Sequence, residues 1–359
     1  MTPEEIKRAL KRILPTVQKP GRYTGGEYNQ IIKDWSQTSI RVALAFPDIY
    51  DLGMSNLGLA ILYDILNQQP DILAERVYTP WPDMEAAMRQ AGMPLYSLET
   101  KHQISDFDLL GVSLPYETLY TNALNMLDLS GIPLLTIHRS REDPLIIAGG
   151  HTTFNPEPVA NFFDALVIGE GEEVILEIVR CLQEWRESGE PREALHRTLA
   201  SIWGVYVPSL YHVHYQENGT LSYVEPAANE AQFPVIKRIV PKLPPSPTRL
   251  IVPYVDITHD RISIEIMRGC TRGCRFCQAG MITRPVRERP IEEIVNTVEK
   301  TLTTTGFNEV GLLSLSSSDY SPILDLIREM KRRFSDHHLN ISLPSLRIET
   351  FSIDLMDLL

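Results

Sequence analysis

The sequence predicts an α/β protein in which a doubly wound parallel sheet is followed by an incomplete β/α barrel. Two observations predict this class. Strand-like and helix-like segments alternate from Ile40 onward, and the alternation resumes after a proline-rich stretch at 242–247. Such alternation is typical of parallel sheets covered by helices. The chain has 359 residues, more than one ordinary domain needs, so we expect two main domains.

Composition and charge narrow the classes of function. The hydrophobic fraction is 43%, and no apolar run approaches the roughly 20 residues of a membrane helix. The N-terminus lacks the apolar segment of a signal peptide. A net charge of -12 argues against a general nucleic-acid binder, because such proteins need a basic surface. We therefore expect a protein that does not span a membrane and is not a general nucleic-acid binder.

Four segments of the chain are distinguished. They are an N-terminal docking helix and extended segment at 1–39, a doubly wound domain at 40–195, a hairpin and proline-rich linker at 196–255, and a barrel segment at 256–359. The first helix follows Thr2-Pro3-Glu4-Glu5, which reads as an N-cap, a first-turn proline and a capping-box glutamate.

The doubly wound domain is predicted from its alternating elements. Its strands are Val42–Phe46, Arg76–Thr79, Leu109–Ser113, Leu145–Ala148 and Ala165–Ile168. Its helices are Leu57–Asn67, Asp83–Ala91, Thr118–Leu129 and Glu172–Ser188. Cys181 falls on the apolar face of the last helix, where core packing is expected. Sheets of this type bind ligands beyond the carboxyl ends of their strands.

Two smaller groups of elements complete the prediction. A hairpin that turns at 217–219 is indicated by Tyr206, Tyr211, Val213, Tyr215 and Tyr223. The barrel segment has predicted strands at Ile262–Ile266, Glu309–Ser314 and Asn340–Leu343, and predicted helices at Ile291–Thr304 and Pro322–Phe334. Barrel enzymes place their chemistry at the carboxyl ends of strands, so the loops after these strands are the candidate site.

The loop after the first barrel strand carries the strongest chemical signal. It reads MRGCTRGCRFCQAGMITRPVRERP and places Cys270, Cys274 and Cys277 at C-x3-C-x2-C spacing. Iron–sulfur clusters are held by thiolates, and three of them would hold three irons of a 4Fe-4S cluster and leave the fourth open to a small molecule. A closed zinc site requires four ligands, which this stretch lacks. Reduced core thiols are a further alternative.

The spacing, the apolar Phe276 before the third cysteine and the preceding strand resemble the radical S-adenosylmethionine (SAM) enzymes. In that family the open iron chelates SAM, and one electron from the reduced cluster cleaves SAM to a 5′-deoxyadenosyl radical. The resemblance implies that Cys270, Cys274 and Cys277 bind the cluster and that Phe276 lies near the adenine of SAM. It also implies a radical SAM barrel, of which the chain contains about half the usual strand–helix units.

The loops after the second and third barrel strands supply further candidates for SAM binding. In radical SAM enzymes a segment after the second strand receives the methionine amino group, and here that place holds Ser316, Ser318 and Asp319. Arg347 follows the third strand and is a candidate partner of the SAM carboxylate or ribose. Two alternatives stay open, since the polar segment can instead cap the next helix and Arg347 can instead be a surface residue.

The doubly wound domain resembles the cobalamin-binding domain that precedes the radical SAM domain in many family members. The resemblance lies in PDIYDLGMSNLGLAILYDIL and GGHTTFNPEPVANFFDALVIGEGEE, and it implies a flavodoxin-like sheet with cobalamin near Gly149, Gly150, Gly169 and Gly171. Domains that ligate cobalt with histidine carry Asp-x-His-x-x-Gly, whereas this chain has DIYDLG at 48–53. Histidine ligation is therefore not expected there. Alternatively, the glycines serve only tight strand-to-helix turns.

The cysteine loop is locally basic although the chain is acidic. Its arginines are Arg268, Arg272, Arg275, Arg284, Arg287 and Arg289. They favour an anionic cluster and an anionic substrate, or they pair with acidic residues elsewhere in the chain.

The sequence therefore predicts a radical SAM enzyme that modifies an unknown substrate, with cobalamin-dependent methyl transfer as one candidate reaction. One alternative makes the first domain a cobalamin-free docking module, and another is an iron–sulfur electron-transfer protein that does not cleave SAM. We expect a cytoplasmic location, because clustered free cysteines suit a reducing compartment. We also expect an electron donor such as flavodoxin or ferredoxin, and a C-terminal portion, in a longer chain or a partner chain, that completes the barrel.

Overall fold

The computed structural model describes residues 1–350 and 352–358, which form two compact units. The first unit comprises Met1–Gly26, Ile31–Gly53 and Leu62–Val240, and the second comprises Glu27–Gln30, Met54–Ile61 and Pro241–Leu359. Two short segments from the N-terminal part of the sequence therefore belong to the second unit.

The strands of the described residues follow the chain from the first unit into the second. They are β1 (Ile40–Phe46), β2 (Ile72–Tyr78), β3 (Leu109–Ser113), β4 (Leu145–Gly149), β5 (Ala165–Val167), β6 (Val205–Tyr206), β7 (Tyr211–Tyr215), β8 (Leu221–Pro226), β9 (Ile262–Glu265), β10 (Met267–Arg268), β11 (Arg287–Glu288), β12 (Glu309–Leu313) and β13 (Asn340–Ser342).

The α-helices lie between these strands and at the chain ends. They are α1 (Pro3–Ile13), α2 (Tyr50–Gly53), α3 (Leu57–Asn67), α4 (Pro82–Ala91), α5 (Tyr120–Leu129), α6 (Gly171–Ser188), α7 (Arg192–Ala200), α8 (Ala279–Ile282), α9 (Ile291–Thr305), α10 (Ile323–Arg333) and α11 (Ile353–Leu358). Within the described ranges, no helix is long and apolar enough to cross a membrane.

The first unit contains a six-stranded sheet with the strand order β2-β1-β3-β4-β5-β6. Strands β1 to β5 run parallel in the order typical of flavodoxin-like folds. Their apolar residues are buried in near-continuous runs, as in sheets covered on both faces. This confirms the predicted doubly wound parallel sheet.

The strand β6 corrects one detail of the prediction. Tyr206 was assigned to the hairpin, but it lies in β6 and pairs antiparallel with Leu166 of β5. A two-residue strand is too short to show a periodic pattern in sequence. The predicted hairpin itself is present as β7 and β8, and Gly219 has the positive φ of 80° at its turn.

The N-terminal helix α1 begins at the predicted capping box. The N–H of Glu5 donates to Thr2 Oγ1 at 3.3 Å, and the N–H of Thr2 donates to Glu5 Oε2 at 2.8 Å. The residues Ile6 and Leu10 are buried on its inner face. The helix therefore docks through the apolar stripe that the sequence shows.

The segment Glu27–Gln30 packs within the second unit. The side-chain amide of Asn29 donates to the carbonyl oxygens of Leu250 and Thr304, both at 2.9 Å. Tyr28 forms an antiparallel bridge with Val252. These contacts attach a short N-terminal segment to the end of α9.

The second unit contains a parallel sheet with the order β13-β12-β9. Helices α9 and α10 form the crossovers between consecutive strands, as the sequence predicted. Its core includes Ile262, Ile264, Val310, Leu312, Leu326, Ile327 and Met330. The carboxyl ends of the three strands lie at one edge of this sheet, where the loops of the candidate site begin.

Candidate functional site

The cysteine loop leaves the sheet directly after β9. Its base is closed by antiparallel pairing of β10 with β11, in which Met267 faces Glu288 and Arg268 faces Arg287. The N–H of Ile266 also donates to the carbonyl oxygen of Leu313 at 2.9 Å, which continues the pairing of β9 with β12. The loop is thus anchored at both ends beside the carboxyl edge of the sheet.

The first turn of the loop requires a glycine. Gly269 has a φ of 88°, a conformation that side chains rarely adopt. A Cβ at this position would lie 2.6 Å from the carbonyl oxygen of Pro285 and 2.9 Å from that of Thr283. The two ends of the loop therefore approach each other closely only because Gly269 has no side chain.

The three cysteines lie on one loop with different exposures and partners. Cys270 is 9% exposed, and Cys274 and Cys277 are partly exposed. The N–H of Arg272 donates to Cys270 Sγ at 3.4 Å, and the N–H of Gly280 donates to Cys277 Sγ at 3.3 Å. Two of the three sulfurs therefore accept hydrogen bonds from backbone N–H groups of their own loop.

A small residue separates two of these cysteines. A Cβ at Gly280 would lie 3.5 Å from Cys277 Sγ and 3.9 Å from the Cβ of Cys270. These are ordinary contact distances, so Gly280 occupies the space between the first and third cysteines. The cysteine at the middle of the motif, Cys274, instead accepts a hydrogen bond from Arg347 Nη1 at 3.2 Å.

Across residues 1–350 and 352–358, no group of three or more His, Cys, Asp or Glu side chains could hold a single metal ion. A closed structural zinc site needs four ligands around one point. A 4Fe-4S cluster takes each thiolate on a different iron, so its ligands do not have to converge on one ion. Three thiols on one anchored loop match the donor set of a cluster with one open iron.

The predicted SAM-binding residues of the β12 loop contact the cysteine loop. Asp319 accepts from Arg272 Nε at 2.9 Å and from Nη2 at 2.5 Å, a two-pronged pair. The hydrogen bond from Arg272 is the largest cause that lowers the pKa of Asp319 below its ordinary value. Ser316 is 1% exposed and donates to Asp319 at 2.7 Å. Asp319 thus anchors a residue that lies between two of the cysteines.

Hydrogen bonds join the loop after β13 to the loop after β12. Ser318 Oγ lies 2.5 Å from Thr350 Oγ1, and it accepts from the backbone N–H of Arg347 at 3.3 Å. The N–H of Ser317 donates to the carbonyl oxygen of Ser345 at 2.7 Å. The structure therefore brings Asp319 and Arg347 to the cysteine loop, and Ser316 and Ser318 are hydrogen-bonded to these two residues. Their contacts with SAM stay predictions, as does that of Phe276, which is 91% exposed.

The arginines of the loop mostly have partners in the protein. Arg268 pairs with Glu265 at 2.8 Å, and Arg289 pairs with Glu293 at 2.5 Å. Arg284 donates to the carbonyl oxygen of Cys270 at 3.3 Å. These contacts support the alternative in which the loop arginines pair with acidic groups of the chain. The sequence analysis did not identify Glu265 as a partner of Arg268. The signal was an acidic residue at the end of strand β9.

In the first unit, two of the predicted cobalamin glycines are required by contacts within the protein. Gly150 has a φ of 122°, and a Cβ there would lie 2.5 Å from the carbonyl oxygen of Leu114. Gly169 has a φ of 113°, and a Cβ there would lie 2.2 Å from the carbonyl oxygen of Arg238. The N–H of Glu170 donates to the same carbonyl at 3.1 Å. Neighbouring backbone explains both residues without a ligand.

The other two glycines have more open surroundings. A Cβ at Gly149 would meet no atom within 4 Å, and a Cβ at Gly171 would lie 3.4 Å from a methyl group of Leu62. The role of all four glycines in cobalamin binding stays a prediction. Gly149 leaves the most space beside the carboxyl edge of the sheet.

The position that holds histidine in Asp-x-His-x-x-Gly is occupied by Tyr50. Tyr50 is 2% exposed and its ring packs edge-on against Tyr78, with centroids 5.5 Å apart. It is therefore turned into the core and is not available to a metal ion. Exposed apolar side chains at the same edge of the sheet, which sequence reasoning missed, are Leu52, Trp81 and Tyr116.

Two known domain families match this chain. Residues 58–208 match the family described as radical SAM proteins, N-terminal, and residues 264–359 match the radical SAM superfamily. Both matched families are radical SAM families. The second match contains the whole cysteine loop and all three strand-end loops of the site.

The chain is also similar to individual proteins and solved structures. An uncharacterised protein of Methanocaldococcus jannaschii, MJ0966, is 26% identical over 330 residues, which cover 89% of this chain and 58% of the relative. The radical SAM methyltransferase TsrM of Kitasatospora setae, with cobalamin and a 4Fe-4S cluster bound, has a TM-score of 0.57 at 16% identity. That match covers 89% of this chain and 58% of TsrM.

A second TsrM structure, with tryptophan substrate and the SAM analogue aza-SAM bound, has a TM-score of 0.51 at 16% identity and covers 89% of this chain and 56% of TsrM. At this identity the likeness concerns the fold. The chain spans less than two thirds of the length of each of these relatives.

Proposed function

We propose that this protein acts as a radical SAM enzyme, with a 4Fe-4S cluster held by Cys270, Cys274 and Cys277. The observation that carries the proposal is the anchored cysteine loop, on which three thiols lie at the carboxyl edge of a parallel β/α sheet. The match of residues 264–359 to the radical SAM superfamily supports it.

When bound and reduced, the cluster supplies the one electron that cleaves SAM. The residues of this chain shape and hold the loop around it. Gly269 permits the close approach of the loop ends, and Asp319 fixes Arg272 between the first and second cysteines. Hydrogen bonds of Ser318 to Thr350 and to the N–H of Arg347 hold the β12 and β13 loops together, which gives Arg347 a defined position beside Cys274.

We further propose cobalamin-dependent methyl transfer as the reaction, with cobalamin at the carboxyl edge of the first sheet. The flavodoxin-like strand order supports this, since such sheets bind ligands at that edge. The bound cobalamin of TsrM supports it as well. Trp81, which follows β2, and Tyr116, which follows β3, are exposed and offer apolar surface to a flat ring. Gly149 ends β4, the neighbour of β3, and a Cβ there would meet no atom within 4 Å. Because Tyr50 is buried, cobalt would take no ligand from that position.

Several finer expectations belong to the same proposal. The substrate is unknown, although tryptophan is bound in one TsrM structure. An electron donor such as flavodoxin or ferredoxin, a C-terminal portion that completes a barrel, and a cytoplasmic location remain predictions from the sequence. The cobalamin-free docking module and the electron-transfer protein remain the alternatives.

One anaerobic experiment separates these readings. The chain is reconstituted with iron, sulfide and hydroxocobalamin, reduced with dithionite and supplied with SAM. Formation of 5′-deoxyadenosine supports the enzyme, whereas a stable cluster with no SAM consumption, both in this chain and in a chain extended at its C-terminus, supports electron transfer. Cluster binding and SAM cleavage without retained cobalamin would favour the docking module. Reconstitution that yields no iron–sulfur absorbance would overturn the proposal.

A further inference from the structure

One side chain from outside the cysteine loop donates a hydrogen bond to a cysteine sulfur. Arg347 Nη1 lies 3.2 Å from Cys274 Sγ, although the two residues are 73 positions apart. Within residues 1–350 and 352–358, Cys270 and Cys277 accept only backbone N–H groups of their own loop. The middle cysteine therefore differs from the other two in having a cationic partner.

The position of Arg347 is set by the loop after β13. Its backbone N–H donates to Ser318 Oγ at 3.3 Å, and its Nη2 lies 3.3 Å from Glu349. The Arg347 side chain is 30% exposed, whereas that of Glu349 is 68% exposed. Solvent therefore screens the countercharge of Glu349 more than it screens the guanidinium beside the sulfur.

A guanidinium on a cluster thiolate has a definite electrochemical effect. Arginine stays protonated in proteins, so it is a permanent positive donor. Hydrogen bonds to cluster sulfurs and the local charge are among the factors that set the reduction potential of an iron–sulfur cluster. A donor with a positive charge stabilises the reduced form, which carries one more negative charge, and so raises the potential.

We propose that Arg347 is a positioning residue that orients Cys274 and raises the reduction potential of the cluster. This inference rests on the proposed function, because it requires the cluster to be held by Cys274. It differs from the role expected from the sequence, in which Arg347 contacts the carboxylate or ribose of SAM. The two roles are separable, because an effect on the cluster is present without SAM.

The test uses Arg347→Gln and Arg347→Lys in the full chain. Arg347→Gln removes the charge, whereas Arg347→Lys keeps a charge but loses the planar fork of donors. The matched control is Arg328→Gln, which removes an equal charge from an exposed pair with Asp325 on α10. Each protein is reconstituted anaerobically with iron and sulfide, without SAM, and its iron content is determined. The midpoint potential of its cluster is then measured by a redox titration followed by electron paramagnetic resonance.

We expect the midpoint potential of Arg347→Gln to be about 59 mV lower than that of the wild type. This shift corresponds to a tenfold smaller equilibrium constant for one-electron reduction of the cluster. Arg347→Lys should lie between Arg347→Gln and the wild type, and Arg328→Gln should match the wild type. Equal potentials in the wild type and both Arg347 variants would overturn the inference while leaving the proposed function intact. A wild-type chain that holds no cluster would overturn both. If Arg347→Gln loses its cluster, the potential of Arg347→Lys decides the outcome.

Discussion

In the second unit, side chains from three strand-end loops meet at the cysteines, whereas in the first unit the strand-end glycines contact neighbouring backbone. Asp319 and Arg347 reach the cysteine loop from β12 and β13. Gly150 and Gly169 instead allow the close approach of Leu114 and Arg238. The difference shows that convergent polar side chains identify a site more securely than glycines do, because a glycine serves a ligand and a tight turn equally well.

The largest expected effect is the loss of cluster binding in the second unit. Cys277→Ala should abolish cluster binding, because two thiolates cannot hold three irons. Iron content and visible absorbance after anaerobic reconstitution measure the loss. The control is Cys181→Ala, which removes a partly buried thiol from α6 of the first unit and should leave the iron content unchanged. Full cluster occupancy in Cys277→Ala would show that the assignment is wrong.

The next effect concerns the glycines of the first unit. Gly169→Ala should lower the free energy of unfolding by roughly 3 kcal/mol or more, since it adds a strained φ and a clash with the Arg238 carbonyl. Gly149→Ala should change it by less than about 0.5 kcal/mol, because its Cβ would meet no atom within 4 Å. Urea unfolding followed by circular dichroism measures both values.

Cobalamin affinity, measured for the same two variants, tests whether a strand-end glycine serves a ligand or only a tight turn. If a corrin ring approaches the sheet at Gly149, Gly149→Ala weakens cobalamin binding without loss of stability. Unchanged affinity in Gly149→Ala would mean that cobalamin binding does not require a glycine at this position. In that case the docking-module alternative would gain support.

A pH effect on stability is expected in the first unit. Glu75 on β2 is fully buried, and this burial, followed by the nearby charge of Glu99, raises its pKa to about 7. Since the folded-state pKa lies above the ordinary value of 4.5, the folded state favours the protonated acid. The stabilising contribution is complete below about pH 4.5 and is lost as the pH rises through about 7.

Glu75→Gln removes this dependence, since an amide does not ionise. Its free energy of unfolding relative to that of the wild type should rise by up to roughly 3 kcal/mol between pH 5 and pH 8. Urea unfolding of both proteins at several pH values measures the difference, and the exposed Glu187→Gln serves as the control. A difference that is the same at every pH would contradict the assignment of a neutral Glu75 in the folded protein.

The smallest expected effect lies in the second unit. Asp319→Asn removes the carboxylate that holds Arg272, so the cysteine loop should move more freely. We expect loss of the cluster to a chelator to be a few-fold faster, measured by the decay of its visible absorbance. Asp325→Asn, which breaks an exposed pair on α10, is the matched control. Equal decay rates in Asp319→Asn and the wild type would mean that the pair does not stabilise the loop.

Much of the fold was predictable because local patterns were strong. Strand β3 and helix α3 have the predicted bounds, and the parallel arrangement of the strands follows from regular alternation of strands and helices. The edge strand β6 was not predictable, because two residues carry no period. The attachment of Glu27–Gln30 to the second unit depends on partners more than 200 positions away, which local patterns do not identify.

The sequence by itself determined which residue types are present at the site. The C-x3-C-x2-C motif, the serine-rich segment after β12 and Arg347 are all visible in it, because each lies just after a recognisable strand. Only the tertiary structure decided how they are paired. It directs Arg347 to Cys274 and Asp319 to Arg272, and it fills the spaces beside Gly150 and Gly169 with backbone. The physical reason is that residues distant in sequence meet at the carboxyl edge of a parallel sheet, and their contacts depend on the register and packing of the whole sheet.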